Sequence, residues 1–337
     1  MGAGVTADAT PLAGYRGIVC DLDGVVYRGP DPVPYAVDVL GGLPTPVVYA
    51  TNNASRTPDE VAAHLTSFGL TANAEHVVTS SMAGAAAIAK RVPSGSKVLA
   101  VGGSGVAIAL RAAGFEPVES TGDGVVAVLQ GYGPRVCAAD LAEAAYAIES
   151  GALWVATNDD LTLPTDRGIA PGNGSLVRCV AIASGAEPVV VGKPQAPLYL
   201  MSSAVLGIEP AAVLGVGDRL ETDIAGATAA GMDSLLVLTG VHGIRDASLA
   251  PVAERPKFVV SDLRGLIEPY AAPTPTPDGW ACDGATVRVD GDRVLVACGG
   301  PDIAVGRAGL AAIWAAVDAG LPTDRAASLA ASLPDRA

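Results

Sequence analysis

The chain has 337 residues, half of them hydrophobic, and a formal net charge of −14. That length supplies more than one core plus an appendage. The acidic balance argues against a nucleic-acid binder, which needs a basic surface, and makes any anionic substrate depend on local cations.

Residues 1–15 hold no basic segment followed by an apolar one, so no secretory signal is expected there. Met1-Gly2-Ala3-Gly4-Val5-Thr6 has the spacing of a myristoylation site, a match that small residues make cheap. The first predicted strand, 18–20, runs into Asp21-Leu22-Asp23-Gly24, which sets two carboxylates at a strand's carboxyl end, where open α/β sheets do chemistry. One carboxylate can attack while the other handles protons. A second strand, 47–50, ends in Thr51-Asn52-Asn53, a hydroxyl and two amides suited to phosphate oxygens. Thr57-Pro58-Asp59-Glu60 then starts an amphipathic helix over 58–68.

Strands near 98–101, 125–129 and 153–156 predict a second α/β unit. Gly102-Gly103-Ser104-Gly105 lacks the third glycine of the usual spacing and the acidic partner of a dinucleotide site and reads as a strand-to-helix turn. The first alternation resumes with strand 189–191, which ends in Gly192-Lys193-Pro194 and offers a fixed cation. It continues with 213–216, which delivers Asp218 and Asp223 into the following turn, a helix over 221–230, and strands 235–238 and 258–260. With four polar clusters at carboxyl ends of predicted strands, the fold class is α/β: a doubly wound parallel sheet with an inserted α/β cap and a small C-terminal α+β module. The expected divisions are 1–79 and 188–272 for the core, 80–187 for the cap, and 273–337 for a proline-rich linker and the module. In that module a hairpin turns at Asp290-Gly291-Asp292 and a helix spans 308–319. The 308–317 stretch is too short to span a bilayer.

Five cysteines form no ligand pattern, which suits a reduced, cytoplasmic protein; whether Cys282 and Cys298 pair across a hairpin is left open. His64, His76 and His242 stand apart from every motif and read as structural or surface residues.

In order, Asp21-x-Asp23-Gly24, Thr51, Lys193 and Gly217-Asp218 with Asp223 resemble the haloacid dehalogenase superfamily of aspartyl-phosphate phosphatases. The long insert, with Val98-Leu99-Ala100-Val101-Gly102-Gly103, Trp154-Val155-Ala156-Thr157-Asn158 and Pro171-Gly172-Asn173-Gly174-Ser175, resembles the large-cap branch of nitrophenylphosphatase-like and phosphoglycolate phosphatase-like enzymes. Gly131-Tyr132-Gly133-Pro134 departs from that branch, which often carries an Asp here.

The resemblance implies Asp21 as nucleophile, Asp23 as acid and base, and Mg²⁺ held by Asp21, Asp218 and the Asp23 carbonyl, with Asp223 behind them. It also implies Gly24, Thr51, Asn52, Asn53 and Lys193 around the phosphoryl group. Asn158, Asp160, Asn173 and Ser175 are the cap's candidates for substrate specificity. The implied substrate is a small phosphorylated metabolite, with glycerol 3-phosphate first and 2-phosphoglycolate next. A phosphomutase or a response-regulator-like phosphoacceptor is a distant alternative. No nucleic-acid or membrane partner is expected, and a homo-oligomer is left open.

Overall fold

The computed structural model describes residues 9–122, 124–165 and 167–336. The signal-peptide expectation for 1–15 falls largely, and the myristoylation pattern wholly, outside them. No helix among the described residues is long and apolar enough to cross a membrane. The chain divides into two compact units, one formed by residues up to Pro46 together with those from Ala211 on, the other by Val47–Pro210.

In the first unit, strands Phe258–Val260, Asp233–Val237, Val213–Gly217 and Gly17–Cys20 lie side by side in that order, all parallel. The strands Gly17–Cys20 and Val213–Gly217 are buried along their whole length, as a sheet covered on both faces requires. Their carboxyl ends put Asp21 and Asp218 on neighbouring strands.

At the opposite end of this sheet, Asp233 opens its strand and accepts hydrogen bonds from Tyr15 Oη at 2.6 Å and Lys257 Nζ at 2.7 Å. Burial, reinforced by the bond to Asp233, pushes the Tyr15 hydroxyl up to about 12. Burial alone would raise the Asp233 carboxyl, but the bonds from Lys257 and Tyr15 outweigh it and hold the group below its ordinary value. A carboxylate depressed in the folded state adds stability above its unfolded pKa and loses it as pH falls through the folded one. Asp233→Asn is therefore expected to flatten the acid limb of the stability curve below about pH 4. Its cost at pH 7 is below about 1 kcal/mol, because the pair is nearly half exposed. Urea titrations at pH 7 and pH 3 check this.

The C-terminal residues belong to the same unit. Strands Thr274–Thr276, Gly279–Cys282, Ala285–Asp290 and Arg293–Cys298 form an antiparallel sheet in that order, and helices Asp302–Asp318 and Thr323–Ala330 follow. Ala285, Val287, Ala304, Ala308 and Ile313 share one apolar cluster with Leu236, Ile244 and Val259. The module thus has no separate core. The 273–277 stretch, expected as a linker, instead supplies an edge strand, where Pro275 costs no ladder bond. Cys282 is buried and Cys298 exposed, both free thiols on strands that flank Ala285–Asp290, and burial raises the Cys282 pKa.

The second unit pairs Val47–Thr51 with Val77–Thr79 in parallel. It also holds a five-stranded parallel sheet in the order Val189–Val190, Leu153–Ala156, Val125–Gln130, Lys97–Val101, Glu116–Val118. Helix Pro58–Ser67 starts with a capping box, Thr57 and Glu60 each bonding the other's backbone N–H. The strand expected to resume the core at 189–191 pairs instead with Leu153–Ala156, Val189 facing Val155. Apolar β-branched runs specify a strand but not its neighbour. The compact units divide at Pro46 and Ala211, and the strand at 189–190 lies in the sheet of the insert. Helix Ser80–Ala89 contributes to this, since it packs on both Val77–Thr79 and Leu153–Ala156.

Candidate active site

After Cys20 the backbone stays in the parallel ladder for one more residue, Asp21 N–H donating to the Val216 carbonyl at 2.9 Å. It then reverses. The Leu22 carbonyl accepts from Val26 at 2.8 Å, and Gly24 N–H donates to Tyr27 at 2.8 Å. Gly24 sits at φ +85°, in the left-handed region open to glycine, and a Cβ there would run into the Asp218 carboxylate. Leu22, Val25 and Val26 are fully buried and anchor the turn. Asp21 is partly buried and Asp23 exposed, so the two carboxylates meet different environments.

Carboxylate oxygens of Asp21, Asp218 and Asp223 all lie within 4.8 Å of one another, and the latter two residues are buried. Three like charges brought this close out of water repel unless a cation lies among them. Three hard oxygen donors suit Mg²⁺, so the residues present fit the ion that the resemblance implies.

Asp218 is held from several sides. Its Oδ2 accepts from Val241 N–H at 2.7 Å, and its carbonyl accepts from His242 N–H at 3.1 Å. Asp223 Oδ2 accepts from the N–H groups of Asp218 at 3.3 Å and Arg219 at 3.1 Å. The expected helix over 221–230 begins instead as a wide π-type turn, Leu220–Ile224, followed by Ala225–Ala229. That turn brings Asp223 back over the Asp218 peptide.

His242 Nδ1 accepts from Leu220 N–H at 3.0 Å, in keeping with a structural role. Thr239 Oγ1 donates to the Gly24 carbonyl at 2.8 Å, tying loop 239–243 to the Asp21 turn. The sequence reading passed over Thr239 and Val241. For Thr239 the signal was present in Thr239-Gly240, directly after the apolar run 235–238.

In the second unit, Lys193 is 2% exposed. Asn52 grips its backbone from both sides, its Oδ1 accepting from Lys193 N–H at 2.8 Å and its Nδ2 donating to the Lys193 carbonyl at 3.2 Å and to Asp160 Oδ2 at 3.1 Å. The Asn52 side chain is thus occupied in positioning Lys193 and Asp160. Thr51 Oγ1 accepts from Asn53 N–H at 3.0 Å, and Asn53 Oδ1 accepts from Ser55 N–H at 2.9 Å, a pair of tight turns. Gly105 lets the helix Ser104–Ala112 close onto this loop, since a Cβ there would strike the Arg56 carbonyl at 2.6 Å, so 102–105 is the strand-to-helix turn expected.

Two cap candidates bond backbone carbonyls through their side-chain amides. Asn158 Nδ2 donates to the Asn52 carbonyl at 2.8 Å, and Asn173 Nδ2 donates to the Asn158 carbonyl at 2.7 Å, both residues being buried. Their amide groups hold loops in place. Ser175 Oγ likewise donates to the Leu161 carbonyl at 2.7 Å. Polar residues among glycines look the same in sequence whether they face a ligand or satisfy backbone.

Comparison with known proteins gives a consistent picture. The family described as haloacid dehalogenase-like hydrolase matches residues 18–116, and one described as HAD-hydrolase-like matches 190–266. The chain is 44% identical over 305 residues to D-glycerol 3-phosphate phosphatase of Mycobacterium tuberculosis, covering 89% of this chain and 86% of that protein. It resembles the crystal structure of a glycerol phosphate phosphatase from the same organism in complex with magnesium, with a TM-score of 0.85, 41% identity and coverage of 93% and 94%. A p-nitrophenyl phosphatase from Archaeoglobus fulgidus matches with a TM-score of 0.69 at 29% identity, over 75% of this chain and 98% of that one.

Proposed function

This chain belongs to the haloacid dehalogenase-like hydrolases and is a phosphatase, and on that premise we propose that it hydrolyses D-glycerol 3-phosphate by way of a phosphoryl group carried on Asp21. The observation that carries the reading is the gathering of Asp21, Asp218 and Asp223 within 4.8 Å at the carboxyl ends of parallel strands.

Asp21 attacks phosphorus in line, an O–P bond forms, and the bond to the glycerol oxygen breaks. Asp23, the exposed and differently solvated carboxyl, gives its proton to the departing alkoxide. It then takes a proton from the water that attacks the aspartyl phosphate, which returns Asp21 and releases phosphate. Mg²⁺, held by Asp21, Asp218 and the Asp23 carbonyl, would neutralise the charge of the carboxylates and the transferring group. Asp223 keeps Asp218 in position through the turn it spans. In the second unit, Lys193 offers a fixed cation and Thr51 a hydroxyl, groups of the kind that bind phosphoryl oxygens. Selection among small phosphate monoesters falls to residues of the insert, Asp160 among the candidates.

The reading is tested by measuring phosphate release from both enantiomers of glycerol 3-phosphate, 2-phosphoglycolate and a nucleoside monophosphate, with Mg²⁺ and after chelation. The D enantiomer is expected to give the highest kcat/KM, and EDTA is expected to remove turnover until Mg²⁺ is restored. Preference for another compound would replace the substrate, and full activity in chelator would contradict the carboxylate site.

A further inference from the structure

The C-terminal residues 333–336 lie against the loop that holds Asp218. The Asp335 carbonyl accepts from Ile244 N–H at 2.9 Å, and the Leu333 carbonyl accepts from Arg245 Nε at 2.9 Å. Arg336 Nη2 donates to the Val241 carbonyl at 3.3 Å. Gly243 makes the close approach, since a Cβ there would strike the Asp335 carbonyl and lie 2.7 Å from its Oδ1. Helix Asp302–Asp318 fixes the same stretch, Trp314 Nε1 donating to the Ala247 carbonyl at 2.9 Å and Gly306 making room for Ile244.

Val241 therefore faces two ways. Its N–H holds Asp218 Oδ2 and its carbonyl is held by Arg336. One residue separates the tail from a carboxylate of the cation cluster. The hydrogen bond from Val241 selects which Asp218 oxygen is engaged by backbone, and with it the direction in which the carboxylate faces Asp21.

We propose that residues 333–336 are a positioning element for the cation site, setting Mg²⁺ affinity by fixing loop 239–245 behind Asp218. This rests on the reading of Asp218 as a cation ligand. The two ideas predict different things. A tail that only adds stability lowers the unfolding temperature and leaves the folded protein's affinity for Mg²⁺ untouched, whereas a positioning tail changes that affinity and the protection of the Val241 amide.

The experiment titrates the whole metal-free protein with Mg²⁺ by calorimetry and follows Val241 amide exchange in Gly243→Ala, Arg336→Ala, Arg336→Lys and Asp218→Asn. Gly243→Ala is expected to raise the Kd for Mg²⁺ roughly three- to tenfold and Arg336→Ala about twofold, in line with loss of one or two hydrogen bonds. Val241 exchange should quicken in both, and Arg336→Lys should restore the parent values. Should Gly243→Ala fail to fold, the Arg336 pair decides. Parent affinity and parent Val241 protection in Arg336→Ala, with binding lost in Asp218→Asn, would overturn the positioning role and leave the site standing. Parent affinity in Asp218→Asn would instead remove the site itself.

Discussion

Replacing Asp21 by Asn is expected to lower kcat by on the order of 10⁴-fold or more while the fold persists. An amide oxygen is too poor a nucleophile to take the phosphoryl group, and the neighbouring carboxylates are fixed by other bonds: Asp223 spans the Asp218 turn and Asp218 Oδ2 is engaged by Val241. The effect on stability has an unusual sign. In metal-free protein three carboxylates repel within 4.8 Å, so removing one charge leaves the unfolding temperature unchanged or raised. With Mg²⁺ added, the parent gains more stability than the variant, because stabilisation by a ligand grows with the logarithm of its concentration over its Kd for the folded state. Thermal melts with and without Mg²⁺, beside steady-state kinetics, measure both effects. A substantial residual rate would exclude Asp21 as the nucleophile.

Gly240→Ala is expected to damage cation binding severely. A Cβ at this position would overlap the Asp218 side chain at its Cβ, Cγ and Oδ2, and Asp218 is 1% exposed. The side chain must turn away from Val241 N–H, leaving a buried donor without its acceptor. A rise of at least tenfold in the Kd for Mg²⁺ is predicted, with a stability loss of about 1–3 kcal/mol from overpacking. Gly42→Ala is the control. A Cβ there meets nothing within 4 Å, so affinity and rate should stay at parent values. Equal behaviour of the two variants would show that the Asp218 pose has no bearing on the cation.

Much of this architecture could be read from the chain because its strands are short apolar runs closed by distinctive polar residues. Strands Phe258–Val260 and Leu153–Ala156 fall where the pattern places them, and the hairpin turns at Gly291-Asp292 between paired Asp290 and Arg293. What pattern cannot supply is the partner of a strand. Val189–Val190 carries the same β-branched signal in either sheet, and only the register with Val155 and Ala156 assigns it. Helix Asp302–Asp318 starts six residues before its expected position because Gly306 and Gly309, needed for close packing on Ile244 and Leu333, weaken the helical signal. The acidic cluster was legible because carboxylates after buried strands are chemically conspicuous. Val241 was not, since its contribution is a backbone N–H and any residue but proline carries one. Nor does sequence distinguish a buried amide satisfying carbonyls, as Asn158 and Asn173 do, from an exposed amide awaiting a ligand, since both carry the same letter.

The most direct measurement is the location of the phosphoryl group during turnover. The protein is mixed with substrate and Mg²⁺, quenched in acid, reduced with borohydride and analysed by peptide mass spectrometry. Reduction of an acyl phosphate turns its aspartate into homoserine, and the account predicts that conversion at Asp21, with Asp23, Asp218 and Asp223 unmodified. Conversion at any of those three, or none at all in an enzyme that is turning over, would contradict it.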